Sequence, residues 1–197
     1  MSRNKSAEET DSLRVARARY WADNGFGDDG GESKTWEIVK IGPIPIPILN
    51  VEARKEAIRF HDLHHVLTGY STSCVGEAEI SAWELSSGCR DKWVAWVLGF
   101  QILVLGLVAP KRMLRAWTRG RRTRNLYAET IDEALLDSLV SAQRKRLGLD
   151  APVPEPGPMD AMGFVLWCGL SVLVQGGAVV AGLTVLWWGV QAVFAAS

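Results

Sequence analysis

The sequence predicts an all-α fold, a helical domain followed by an apolar helical hairpin or other membrane segment. Three observations carry this. Stretches of helical period are closed by glycine or proline, and several are opened by small polar residues. The clearest extended run, Gly42–Asn50, has prolines at 43, 45 and 47, which remove backbone donors and exclude a central strand. Residues 161–197 hold no charged side chain.

Taken in order, Ser6 followed by Glu9 reads as a capping box opening a helix that ends near Asn24-Gly25. Residues 27–33 are loop, so residues 1–34 form an N-terminal helix and loop. Thr35–Ile41 reads as a short strand or extended segment. Asn50 is a good N-cap for a helix from Val51 to Thr68, stopped by Gly69. Ser71 or Thr72 then caps a second helix that runs to Gly88. Trp93–Ala109 is apolar except for Gln101 and closes at Pro110; its 17 residues are at the short limit for a span, and it reads as buried or tunnel-lining. Tyr127–Leu147 reads as one amphipathic helix, with Ile131, Leu135, Leu139 and Leu147 among charges, ending at Gly148. The central helical domain is residues 35–149, and residues 150–160 are a proline-rich linker.

The tail, 161–197, offers 37 uncharged positions, well beyond the roughly 20 that one crossing needs. Gly176-Gly177 divides it into arms at Met162–Gln175 and Ala178–Phe194, which fits a tight helical hairpin with Trp167, Trp187 and Trp188 near interfaces. A single tilted span and a buried pair of soluble helices are the alternatives.

Charge is unevenly spread. The 22 basic and 22 acidic residues cancel, yet Lys111–Arg124 has seven basic residues and no acid. That run lies before the tail and predicts a membrane-associated protein with the metal domain on the cytoplasmic face. Anionic headgroups are its expected partner, at about 1 kcal/mol per basic residue near the surface. Nucleic acid is not expected, because only Trp117 interleaves the run. The N-terminus has no apolar stretch resembling a signal peptide. Three cysteines without a CxxC pair point away from a disulfide scaffold and toward a reducing compartment.

All three histidines fall within five residues, at 61, 64 and 65. On a helix His61 and His65 share a face, and Asp62 lies about 100° round, able to bend inward. After a turn allowed by Gly69, Glu77 falls early in the next helix and faces the pair if the helices pack antiparallel. Two imidazoles and two carboxylates suit zinc, iron or manganese rather than calcium. HDLHH also matches the HxxHH box of membrane di-iron enzymes, but three histidines are too few. HD-type hydrolases need an upstream histidine that is absent, and HExxH chemistry lacks its glutamate. His64 reads as a surface residue or one behind the ligands, and Glu79 and Glu84 as solvated helix positions rather than proton carriers near the site.

His61-Asp62-x-x-His65, eleven residues, then Glu77 resembles the motif of the fourth coenzyme Q biosynthesis protein family. The segment His61–Leu85 is similar to that family's metal segment, and Arg124–Leu149 more loosely to its closing helix. The resemblance covers residues 35–149 and implies an all-helical fold with His61, Asp62, His65 and Glu77 as ligands to zinc, iron being the alternative. It further implies C1 decarboxylation of a polyprenylated 4-hydroxybenzoate-type precursor, with or without hydroxylation. A non-catalytic role is the alternative: binding lipid or scaffolding other quinone-biosynthesis enzymes, with a structural metal. The charge-free tail is not part of the family pattern. The apolar helix Trp93–Ala109 is the candidate wall for the lipid tail, since each buried methylene contributes about 0.8 kcal/mol.

Overall fold

A computed structural model describes residues 10–41 and 44–195. Eight α-helices and one two-stranded hairpin are present among them. In order they are α1 (Leu13–Asn24), β1 (Trp36–Ile41), β2 (Ile44–Leu49), α2 (Glu52–Thr68), α3 (Cys74–Ser87), α4 (Trp93–Ile102), a 3₁₀ segment (Leu103–Leu107), α5 (Pro110–Gly120), α6 (Glu133–Asp137), α7 (Val140–Leu147) and α8 (Pro158–Ala195). The helical class is as the sequence predicts.

The capping box read at Ser6 and Glu9 lies outside the described residues. α1 is capped by Ser12, whose hydroxyl accepts from Val15 N–H, and it stops at Gly25 in the left-handed region as expected. In the hairpin Pro47 sits opposite Ile38 and Pro45 opposite Lys40. Alternate residues point their N–H groups to the same edge, so both missing donors fall together.

Two caps differ from the sequence reading. Asn50 does not cap α2; its buried amide donates to Gly31 O and Lys34 O and accepts from Arg54, tying the preceding loop to the helix. Val51 takes the cap position without a side-chain bond. α3 is capped by Ser73, which accepts from Gly76 N–H, rather than by Ser71 or Thr72.

Tyr127–Leu147 is not one helix. Tyr127 is buried in the core, and Asp132 caps the short α6 by accepting from Leu135 N–H. The chain then opens at Ser138–Val140 to pair with the start of α1, through Leu13 N–H to Ser138 O and Val140 N–H to Asp11 O. A tertiary bridge therefore overrides the helical period.

One core holds the domain together, with Leu13, Phe60, Leu63, Ile80, Trp83 and Met113 among its buried residues. α3 and α5 cross closely at Gly120, where a Cβ would lie 2.0 Å from Ser86 Oγ and 2.4 Å from Trp83 O. Trp83 Nε1 donates to Thr123 Oγ1 at 2.9 Å, fixing the same crossing.

The tail is a single 38-residue helix, not a hairpin. Gly176-Gly177 does not break it, since opening an apolar helix would strand backbone donors and acceptors. Its first half docks on the domain. Phe164 and Cys168 are buried, with Gly106 facing Cys168 so closely that a Cβ would come within 2.8 Å of its sulfur. Where α4 tightens into the 3₁₀ segment, Ser171 Oγ donates to Phe100 O (2.6 Å) and Gln175 Nε2 to Gln101 O (3.0 Å). From Gly176 to Phe194 every residue is exposed. The helix is long and apolar enough to cross a membrane.

Candidate metal centre

α2 and α3 are joined by the Gly69–Ser73 turn, and their contacts run in reversed order, His65 to Glu77 and then His61 to Glu77 and Glu84. The helices are thus antiparallel, as the sequence reading required. The three ligand groups meet tightly. His61 Nε2 lies 3.1 Å from Glu77 Oε2 and 3.1 Å from His65 Nε2, and His65 Nε2 is 3.3 Å from Glu77 Oε1. These three side chains could hold a metal ion.

The remaining contacts of each ring decide where its proton sits. His65 Nδ1 meets Tyr70 O at 2.9 Å, and a carbonyl only accepts, so Nδ1 carries the hydrogen. His61 Nδ1 meets both oxygens of Glu84 at 3.1 Å, and an ionised carboxylate likewise only accepts. In neutral rings both Nε2 atoms then present lone pairs toward the Glu77 carboxylate. Either a metal ion or the proton of a charged His61 ring completes the contact between these acceptors.

A divalent metal fits. Metal–ligand bonds of about 2.1 Å put neighbouring ligand atoms ~3.0 Å apart in octahedral and ~3.4 Å apart in tetrahedral geometry, which brackets the observed separations. The donor set of two imidazoles and a carboxylate suits zinc or iron, and the outer hydrogen bonds are the kind that orient metal-binding histidines.

Charge is tightly coupled here. Burial would pull His61 down, but Glu84 and Glu77 outweigh it and hold its pKa well above the ordinary value. Burial raises Glu77, and bonds from His61 and His65 overcome this to bring it to about 2. Glu84 is also held low, its burial outweighed by His61 and His64.

The fourth predicted ligand, Asp62, is not in this tight group. It is buried, and its Oδ2 accepts from Trp21 Nε1 at 2.7 Å. Burial lifts its carboxyl pKa, with Trp21, His61 and His65 pulling the other way, so both rings are electrostatic neighbours.

Glu84 is the residue the sequence reading underrated. It is 3% exposed rather than solvated, and Glu79 is buried too, clamped by two bonds from Arg112. Its spacing of seven from Glu77 puts both carboxylates on one helix face, a signal present in the sequence. His64 sits behind the ligands, fully buried. Its Nε2 accepts from Leu126 N–H at 3.0 Å, so Nδ1 carries the hydrogen donated to Glu84 at 2.7 Å. Burial holds His64 below its usual pKa, in keeping with a neutral ring.

The site is partly open, with the side chains of His61 and Glu77 24% and 30% exposed. A cavity of about 460 Å³ borders His65, with Arg19, Tyr20, Asn24, Tyr70 and Arg144 in its wall. Tyr20 stacks on the His65 ring at 5.4 Å. The α4 segment, expected to wall a lipid tunnel, contributes nothing to this cavity. No family model, no curated protein and no solved structure matches the chain.

Proposed function

We propose that the chain is a membrane-tethered, metal-dependent protein of ubiquinone biosynthesis that removes the C1 carboxylate from a polyprenylated 4-hydroxybenzoate-type precursor. The observation that carries this reading is the convergence of His61, His65 and Glu77 at the spacing of the family motif they resemble. The ligands are these three, zinc being the first choice of ion and iron the second, with Asp62 as the fourth ligand that the resemblance implies.

A divalent ion held by His61, His65 and Glu77 would supply Lewis acidity toward an aromatic carboxylate. The chain's own residues do the rest. Glu84 and Tyr70 O hold the two imidazoles so that Nε2 faces inward. Tyr20 and Tyr70 bring aromatic faces to the adjacent cavity, whose charged lining is Arg19, Asp23 and Arg144 with the two arginines paired to Asp11 and Asp150, and this supports an aromatic head group. In simple decarboxylation a proton replaces the lost carbon dioxide. In the oxidative form a hydroxyl takes that place and a two-electron oxidant such as molecular oxygen is consumed, which zinc alone does not supply. The basic α5 and the apolar α8 support a domain on the cytoplasmic face of a membrane.

A second reading is a lipid-binding or scaffold protein whose metal only staples α2 to α3; the two outer hydrogen bonds that lock the imidazoles would serve a staple equally. Two measurements test the proposal. Elemental analysis of purified wild type should find about one zinc or iron per chain and His65→Ala should find none; equal content in both would end the ligand assignment. Cells lacking the chain should accumulate prenylated hydroxybenzoate, with rescue by wild type but not by Glu77→Gln. Unchanged quinone with no accumulated precursor rules out the enzymatic reading.

A further inference from the structure

We infer that the domain is sunk into the near leaflet of an anionic bilayer rather than hung from it by a free tether, with the end of α4 and its 3₁₀ extension among the acyl chains. This rests on the reading that α8 crosses the membrane, and adds a second embedded element to it. Successive contacts along α8 give a scale of depth. Asp160 pairs with Arg121 and Arg122 at the end of α5, and Phe164 meets Trp117. Trp167 then packs on Trp96 and Trp117 at 5.8 and 6.3 Å, Ser171 binds Phe100 O, and Gln175 binds Gln101 O. The basic end of α5 therefore lies away from the free half of α8, and the apolar α4 end lies toward it.

Two placements of the bilayer fit the length of the helix. A membrane beginning beyond Gln175 would take Gly176–Phe194, 19 residues or about 28 Å. It would leave Leu107 (72% exposed), Val108 (74%) and Leu173 (74%) in water, together with Val97, Leu166 and Leu170. It would also bury Trp187 and Trp188 within the hydrocarbon. A membrane beginning at Trp167 reaches Trp187 after 20 residues, about 30 Å, the thickness of a hydrocarbon core. Tryptophans then stand at both interfaces, Trp96 and Trp167 at one and Trp187 and Trp188 at the other, where indoles are favoured. The exposed Val97, Leu107, Val108, Leu170 and Leu173 are placed in lipid, which accounts for a surface too apolar for water there.

Charge agrees. Lys111, Arg112 and Arg115 are exposed and directly follow the apolar Leu107–Pro110 corner, Arg112 being paired with Glu79 and Arg115 lying 3.9 Å from Glu155. An apolar corner next to a cationic rim matches acyl chains next to anionic headgroups.

The test uses the full chain in a Cys74→Ser background, leaving the two buried thiols, reconstituted in vesicles of phosphatidylcholine and phosphatidylglycerol. A nitroxide is placed in turn at Val108→Cys, Leu183→Cys and Glu129→Cys, and its collisions with oxygen and with a water-soluble nickel chelate are measured. The expected result is loss of nickel accessibility with retained oxygen accessibility at 108 and 183, and full nickel accessibility at 129. Nickel access at 108 with 183 protected overturns the embedding while leaving α8 as a span. Nickel access at 183 removes the span itself. Protection at 108 from both reagents would mean a protein partner, such as a second copy, and also overturns the embedding.

Discussion

Glu84→Gln alters the residue that orients the metal cradle while leaving His61, His65 and Glu77 in place. The carboxylate accepts from His61 Nδ1 and from His64 Nδ1 in a site that is 3% exposed. A carboxamide of the same size keeps one acceptor oxygen and turns a donor NH₂ toward the second N–H. His64 cannot change tautomer without losing the Leu126 N–H, so His61 must yield. Either its Nδ1–H goes unpaired, or its hydrogen moves to Nε2 and the lone pair turns from the ion. An unpaired buried donor costs about 1–3 kcal/mol, which is ~2–12 °C in Tm for a domain of this size. Loss of such an outer partner lowers metal affinity by about 10–100-fold. Competition against a zinc chelator, with thermal unfolding of the chelator-treated protein, measures both. Unchanged affinity and unchanged Tm would refute the claim that Glu84 fixes His61.

Other outcomes follow from the same geometry. Glu77→Gln should lose metal stoichiometry while Asp62→Asn loses less, by elemental analysis; the reverse order would make Asp62 the stronger ligand. Gly120→Ala should destabilise by about 1–3 kcal/mol in denaturant titration, because its methyl would meet Ser86 Oγ and Trp83 O. Ser73→Ala removes the cap of α3 and should cost about 1 kcal/mol, read as a lower Tm, whereas Ser71→Ala should cost less. Chelator treatment of wild type should lower Tm, since an ion bound only by the folded state stabilises it by mass action.

Much of the site was legible because it is local. A spacing of four brings His61 and His65 together, Gly69 ends α2, and the short turn returns Glu77 to them. Glu84 was missed because a glutamate on a helix is usually solvated, and only its register seven residues from Glu77 marks it otherwise. What failed was mostly long-range. The break at Ser138–Val140 exists because α1 pairs there, a contact across more than a hundred residues that no local period encodes. Asn50 looked like a cap because its chemistry suits one, yet the loop before it had stronger need of its amide. The glycine pair at 176 and 177 suggested a bend, but nothing packs against a second arm to reward one, and the helix runs straight through.

The buried bond from Leu126 N–H to His64 has a consequence for communication within the molecule. His61, Glu84, His64 and the main chain after α5 form one unbroken relay, and the last of these leads into the segment that carries α6 and α7. An ion bound in the cradle would add its charge at the His61 end of that relay. Protection from solvent exchange at the Leu126 amide thus becomes a distant gauge of whether the cradle is filled.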